Sequence, residues 1–186
     1  MKEKKHVHDQ HKEKAPKEIN LALIIVSTSR FLEMKTGKKT TDETIPKVKE
    51  LLNNNLSISL VFSKIIPDSE EHINKILIEL MKDNKIHSII FSGGTGLSPK
   101  DITYETIEPR LEKKFDGFGE LFRHLSYNEI GTSSILTRAT AGILKKNKQK
   151  KAIFLLPGAP NAVILALQHI IIPELGHILY IINKKE

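Results

Sequence analysis

Apolar residues in this chain fall in short dense blocks separated by stretches of mixed character. Residues 21–26 (LALIIV) form one continuous apolar run, and 58–66, 86–91 and 152–156 are similar blocks rich in Ile, Leu and Phe. Runs of this length are expected of strands buried on both faces of a parallel sheet. Between them the apolar spacing becomes helical. Ile73, Ile76, Leu77, Leu80 and Met81 make one stripe, the clearest helix in the chain. Residues 44–53 repeat the pattern with Ile45, Val48, Leu51 and Leu52, and Pro46 is tolerated in the first turn. Residues 27–41 are polar, contain Gly37 and read as a loop. Helical turns are expected around 103–107, 119–125 and 133–144. A long apolar helix follows the last strand; Pro160 suits its start, and Pro173 is expected to kink or end it.

Short apolar strands alternating with helices predict an α/β fold of three layers, with a mostly parallel central sheet and helices on both faces. There is no internal repeat and no sign of a second domain, so residues 19–186 are expected to form one domain. Residues 1–18 have almost no apolar content and read as a disordered basic tail. They lack the apolar core of a secretory signal. No uninterrupted apolar run reaches the roughly 18 residues of a membrane span. The most apolar stretch, 159–172, is broken by Asn161, Gln168 and His169, so no transmembrane helix is expected.

Composition narrows the chemistry. The 186 residues include no Cys, which excludes a disulfide framework, a thiolate metal site and a cysteine nucleophile. It also suits the cytoplasm, the expected location. Lys and Arg number 29 against 22 Asp and Glu, a formal charge of +7 and a pI near 9.4. A polyanionic partner is implied: nucleic acid, a membrane surface or a small phosphorylated molecule. The tail accounts for only +2 of the excess. His6, His8 and His11 within it read either as a metal-binding group or as part of a solvated polar segment.

Ligands of parallel α/β sheets bind beyond the C-terminal ends of the strands. Four segments occupy those positions: 27–30 (beginning at Ser27), Pro67 with Asp68, 92–96 and 157–160. Ser92, Gly93, Gly94, Thr95 and Gly96 follow a strand directly, and glycines there expose N–H groups to a phosphate. The run is neither a P-loop nor a dinucleotide fingerprint, since Pro99 stands where the last glycine would fall. Its other reading is a tight turn. Asp68 and Asp101 suit either Mg²⁺ coordination or helix N-caps. Glu120 and Arg123 lie three apart on one helical face, as a surface ion pair would. Residues 131–139 (GTSSILTRA) open with hydroxyls that suit an anion at a helix start or N-capping by Thr132 or Ser133. Pro157, Gly158 and Ala159 make a further glycine turn.

Three blocks together are specific: SGGTGLSPKDIT (92–103), GFGELFRHLSYNEIGTSSILTRATAG (117–142) and LPGAPNAV (156–163). In this order and spacing they resemble the MogA/MoaB family of molybdenum cofactor biosynthesis, more closely its MoaB branch. The likeness covers about residues 19–180. It implies the family's α/β/α fold and a molybdopterin adenylyltransferase, which uses ATP and Mg²⁺ to transfer AMP to the terminal phosphate of molybdopterin and releases pyrophosphate. Two essential acids of the family match Asp68 and Asp101, as catalytic residues and Mg²⁺ ligands. Ser27, Ser92, Gly93, Gly94, Thr95, Gly96, Glu120, Arg123, Ser134, Arg138, Pro157, Gly158 and Ala159 fall where relatives bind nucleotide and pterin. Asp42 matches a family Asp before the first helix. The chain departs from the family at Thr28-Ser29-Arg30, where many relatives carry Ser-Asp-Arg or Ser-Asn-Arg. The resemblance also implies a homotrimer or a hexamer of two trimers.

Two other functions stand beside the enzyme. A catalytically inactive, molybdopterin-binding MoaB-type paralogue would keep the fold without the activity. Nucleic-acid binding fits the pI but lacks interleaved basic and aromatic residues, with aromatics at only 5%. The expectation is therefore small phosphorylated ligands, with neither nucleic acid nor membrane as a partner.

Overall fold

A computed structural model describes residues 15–184. The predicted tail, with His6, His8 and His11, lies outside the described residues except for its last four positions. The described chain runs β1 (Ile19–Val26), α1 (Thr28–Lys35), α2 (Thr44–Leu52), β2 (Ile58–Ile66), α3 (Glu70–Lys82), β3 (Ser88–Ser92) and α4 (Thr103–Ile107). It continues through β4 (Lys113–Lys114), α5 (Asp116–Ile130), β5 (Thr140–Lys146), β6 (Gln149–Leu156), α6 (Pro160–Ala166) and α7 (Ile172–Asn183). Short 3₁₀ segments follow α4 and α5.

The strands form one sheet of order β2-β1-β3-β6-β5-β4. Its first four strands are parallel and its last two antiparallel. Alternation along β1 shows why the sheet needs two helical layers. Leu21, Leu23 and Ile25 enter one core with α2, α5, α6 and α7. Ala22, Ile24 and Val26 enter the other with α3. The stripe Ile73, Ile76, Leu77, Leu80 and Met81 is buried in that second core. Truncating a residue such as Leu80 to Ala would cost roughly 2–5 kcal/mol.

Three expectations are corrected. Residues 27–41 are not all loop, because α1 occupies Thr28–Lys35. The helix has no buried residue, hence no apolar stripe to reveal it; the Ser27 hydroxyl accepts the Arg30 N–H and caps its start. Residues 133–144 are not helical beyond a 3₁₀ segment at Gly131–Leu136; they lead into β5. Ile135 and Leu136 are exposed, whereas Ala141 and Leu144 are buried in different cores. Pairing with β6 on one side and β4 on the other outweighs local propensity there. Pro173 does not end the last helix. A π-turn at Leu167–Ile171 precedes it and the helix continues through α7, with Pro173 near the new start.

The continuous helical run Pro160–Asn183 is 24 residues long and, by length and composition, apolar enough to cross a membrane. It is nevertheless a packed element. Val163, Ala166, Ile171, Leu175 and Leu179 are buried in the core it shares with the sheet.

Candidate functional site

The parallel strands β1, β3 and β6 end together, and the loops beyond them enclose a cleft of about 1210 Å³. Ser27, Thr28, Ser29 and Arg30 line it after β1, Asp68 after β2, and Pro157, Gly158 and Ala159 after β6. The loop after β3 supplies Gly93, Gly94, Thr95, Gly96, Lys100 and Asp101. Four sequence segments far apart in the chain thus meet where the topology requires a ligand.

The glycine loop is shaped by close approach. Gly93 has φ +106°, and a Cβ there would lie against the Val26 carbonyl. Gly94 has φ +65°, and a Cβ there would strike Thr103 Oγ1 and Asp68 Oδ1. The Gly93 N–H donates to Leu156 O at 3.0 Å, and Gly94 O accepts from Thr103 N at 2.8 Å. Among the described residues, no protein group accepts from the N–H of Gly94, Thr95 or Gly96. These are the donors a phosphate needs.

Neither aspartate caps a helix. The N-cap of α3 is Ser69 and that of α4 is Ile102, neither with a side-chain cap bond. Asp68 N donates to Thr28 Oγ1 at 3.0 Å, which joins its loop to the start of α1. Asp68 Oδ1 is buried without a hydrogen-bond partner, and so is Thr103 Oγ1. Both oxygens face Gly94. Burial holds the Asp68 carboxyl above its ordinary range, and the Asp101 charge raises it further, while the Ile102 N–H pulls the other way. Asp101 Oδ2 accepts from Ser98 N at 3.2 Å and lies beside Gly96. Two carboxylates and an unpartnered hydroxyl around one glycine loop form a set of hard oxygen donors, the kind a divalent cation takes.

Positive charge is also built in. Arg30 reaches Asp42 at 3.6 Å. The Asp42 side chain is buried and accepts from Thr44 N and Ile45 N, so it is fixed at the start of α2. Asp42 thereby anchors Arg30 at the cleft wall.

Other predicted residues lie elsewhere. Ser92 is buried, and its hydroxyl donates to Pro157 O at 3.0 Å, tying two loop bases together. Arg138 stands behind the glycine loop. Its Nε donates to Thr95 O at 3.0 Å, its terminal nitrogens reach Gly96 O and Glu105, and its guanidinium lies 4.8 Å from the Tyr104 ring centroid. It holds the loop and does not face the cleft. Glu120 and Arg123 do not line the cleft and do not form the expected ion pair; the Arg123 guanidinium folds over Gly119. Ser134 is buried in the 3₁₀ segment, outside the cleft lining, and neither Thr132 nor Ser133 caps that segment. Sequence reasoning assigned no role to Thr28 or Thr103, although the DIT block containing Thr103 was available as a signal.

Comparison with known proteins follows the same lines. The chain matches the family described as "Probable molybdopterin binding domain" over residues 22–177. It is 37% identical over 177 residues to Molybdenum cofactor biosynthesis protein B of Halalkalibacterium halodurans, covering 95% of this chain and 97% of that protein. It is 39% identical over 163 residues to the "Probable molybdopterin adenylyltransferase" of Methanocaldococcus jannaschii, covering 88% and 93% respectively. The structure is similar to the crystal structure of the tungsten cofactor synthesizing protein MoaB from Pyrococcus furiosus, with a TM-score of 0.78 and 36% identity, over 91% of this chain and 100% of that one.

Proposed function

Because the chain belongs to this molybdopterin-binding family and is a molybdenum cofactor biosynthesis protein of the MoaB type, we propose that it is a molybdopterin adenylyltransferase. The observation that carries this reading is the buried, unpartnered Asp68 carboxylate oxygen set against Gly94, beside Thr103 and within the same cleft as Asp101. A glycine loop with free N–H groups, backed by two carboxylates of which one keeps an unpartnered oxygen, suits a nucleotide with its divalent cation. The similar protein of Methanocaldococcus jannaschii is named a probable molybdopterin adenylyltransferase.

The reaction is a displacement at the α-phosphorus of ATP. An oxygen of the pterin's terminal phosphate bonds to that phosphorus, the bond to the β-phosphate bridging oxygen breaks, and pyrophosphate leaves with the electron pair. The attacking phosphate is already ionised at neutral pH, so no general base has to remove a proton. The protein's task is positioning and charge stabilisation. The N–H groups of Gly94, Thr95 and Gly96 bind phosphate oxygens, and Arg30 and Lys100 offset negative charge at the cleft wall. Asp68, Asp101 and Thr103 fit Mg²⁺, which when bound neutralises charge on the nucleotide's phosphate oxygens. Asp68 and Asp101 are thus catalytic through metal and nucleotide positioning, not proton abstraction.

We also assign a trimer-based assembly, a homotrimer or a hexamer of two trimers. Exposed Ile130 and Leu136 at the cleft lining, with exposed Leu97 and Ile135 next to lining residues in sequence, support a subunit contact. The activity is tested by incubating the protein with molybdopterin, ATP and Mg²⁺ and assaying pyrophosphate. Release that requires molybdopterin supports the enzyme. Pterin binding without release identifies a binding-only paralogue.

A further inference from the structure

A second concave surface lies at the other end of the sheet. A cavity of about 450 Å³ is lined by Glu112, Lys113, Ile143, Lys150, Ile181, Ile182 and Lys184. It sits at the start of β6, whereas the cleft lies at its end. Eight residues of strand separate them, roughly 25 Å.

Lysines on the two faces of this sheet edge differ in their surroundings. On one face, Lys114 pairs with Glu108, and buried Lys151 donates to the Leu80 and Asp83 carbonyls. The other face is defined by Ile143, which stands opposite Lys113 on β4. Lys145 lies two positions further along β5 on the same face, directly opposite Lys150. Among the described residues, none of Lys113, Lys145, Lys150 and Lys184 forms an ion pair. Among the described residues, Glu112 is the sole acid of the lining. Like charges directly opposite across a strand pair are destabilising. The Lys145–Lys150 pairing is therefore a small unfavourable contribution that a bound anion would offset. The end of α7 explains one cation only, Lys184, since a helix C-terminus attracts positive charge.

We propose that this cavity is a second ligand site, for a multiply charged organic anion. Its apolar body rests on Ile143, Ile181 and Ile182, and its phosphate or carboxylate groups meet Lys113, Lys150 and Lys184, with Lys145 adding charge on the same face. The volume falls in the small-molecule range. An acidic peptide is disfavoured because β4 is two residues long and offers little edge for strand addition. Residues 1–14 carry five lysines against three acids, the same sign as the site, so their charge does not complement it.

The test uses pyranine, a trisulfonated pyrene dye, with the full chain at low salt. Fluorescence anisotropy should show saturable binding, and isoleucine methyl NMR signals of Ile143, Ile181 and Ile182 should shift. Lys113→Glu with Lys150→Glu should weaken binding about tenfold or more. Lys146→Glu with Lys148→Glu, at the end of β5 and in the turn that follows it, changes the charge equally outside the cavity lining and should have little effect. All four substituted side chains lie at the surface or are half-buried, and a thermal midpoint no lower than that of the wild type checks the fold. Equal loss in both double variants would overturn the proposal as diffuse charge attraction. Methyl shifts confined to the cleft would overturn it too. Tighter binding of an RNA oligonucleotide with the same lysine dependence would assign the surface to nucleic acid instead.

Discussion

Arg138 donates through Nε to the Thr95 carbonyl at 3.0 Å, across 43 positions of sequence. A positive charge in a phosphate-binding region would ordinarily be read as a ligand contact. Here the guanidinium is committed to two loop carbonyls and Glu105, so its role is to position the glycine loop. Arg138→Ala should raise the KM for ATP about tenfold by loosening that loop. Arg138→Lys should recover little, because a point charge cannot reproduce the planar fork. Full recovery by Lys would show that charge alone matters.

Asp68 carries a pH signature within the cleft itself. Burial first, and the Asp101 charge second, raise its carboxyl above the ordinary 3.8. The folded chain therefore holds that proton more tightly than the unfolded chain. Its stabilising contribution is present below 3.8 and lost as pH rises through the folded value. The ionised carboxylate thus weakens the metal-free fold at neutral pH. Asp68→Asn should raise the thermal midpoint at pH near 7, with the gain shrinking in acid, while abolishing adenylyl transfer. Denaturation across pH checks this; a midpoint lowered at neutral pH would contradict it.

Gly94→Ala should fail locally and not globally. The new Cβ meets Asp68 and Thr103, and φ of +65° disfavours any L side chain. A loss of about 1–3 kcal/mol is expected, together with loss of ATP binding. Gly37 has a similar φ of +72° but open space around it, so Gly37→Ala isolates the backbone strain. Chemical denaturation and nucleotide titration of the two variants separate the effects.

Lys151 supplies a second pH test, distant from the cleft. Burial lowers its ammonium from 10.5 to about 8, partly opposed by Asp83. The unfolded chain holds the proton more tightly, so stability rises with pH across this window. The difference in unfolding free energy between wild type and Lys151→Met should grow in favour of wild type from pH 8 towards 10.5. Below about 7 it should be flat. A difference constant throughout would show that the lysine is not desolvated.

The fold and half of the cleft were legible for physical reasons. Buried parallel strands must be apolar on both faces, so 21–26 announced β1, and the stripe from Ile73 to Met81 announced α3. Strand ends then located Asp68, Asp101 and the glycine loop. Helix α1 escaped because no residue of it is buried. Strand β5 escaped because its partner β6 follows a hairpin whose Asn147 takes a φ of 56°, a tertiary pairing that leaves no local period. Arg138 was expected among the ligand-binding residues, and the structure places its guanidinium on the glycine-loop carbonyls and Glu105. Nothing in GTSSILTRA reveals that its guanidinium turns back to Thr95 and Gly96. Conversely, Thr103 stood in the DIT block, but only the unpartnered oxygen beside Gly94 gives it a role.

The central claim is that this cleft moves an adenylyl group onto a pterin phosphate. The direct measurement is a single-turnover reaction with ATP labelled at the α-phosphate, Mg²⁺ and molybdopterin. The account predicts label in a pterin product with release of unlabelled pyrophosphate, and no transfer in Asp101→Asn despite a thermal midpoint close to wild type. Label remaining in ATP with the wild-type protein, or undiminished transfer in Asp101→Asn, would contradict it.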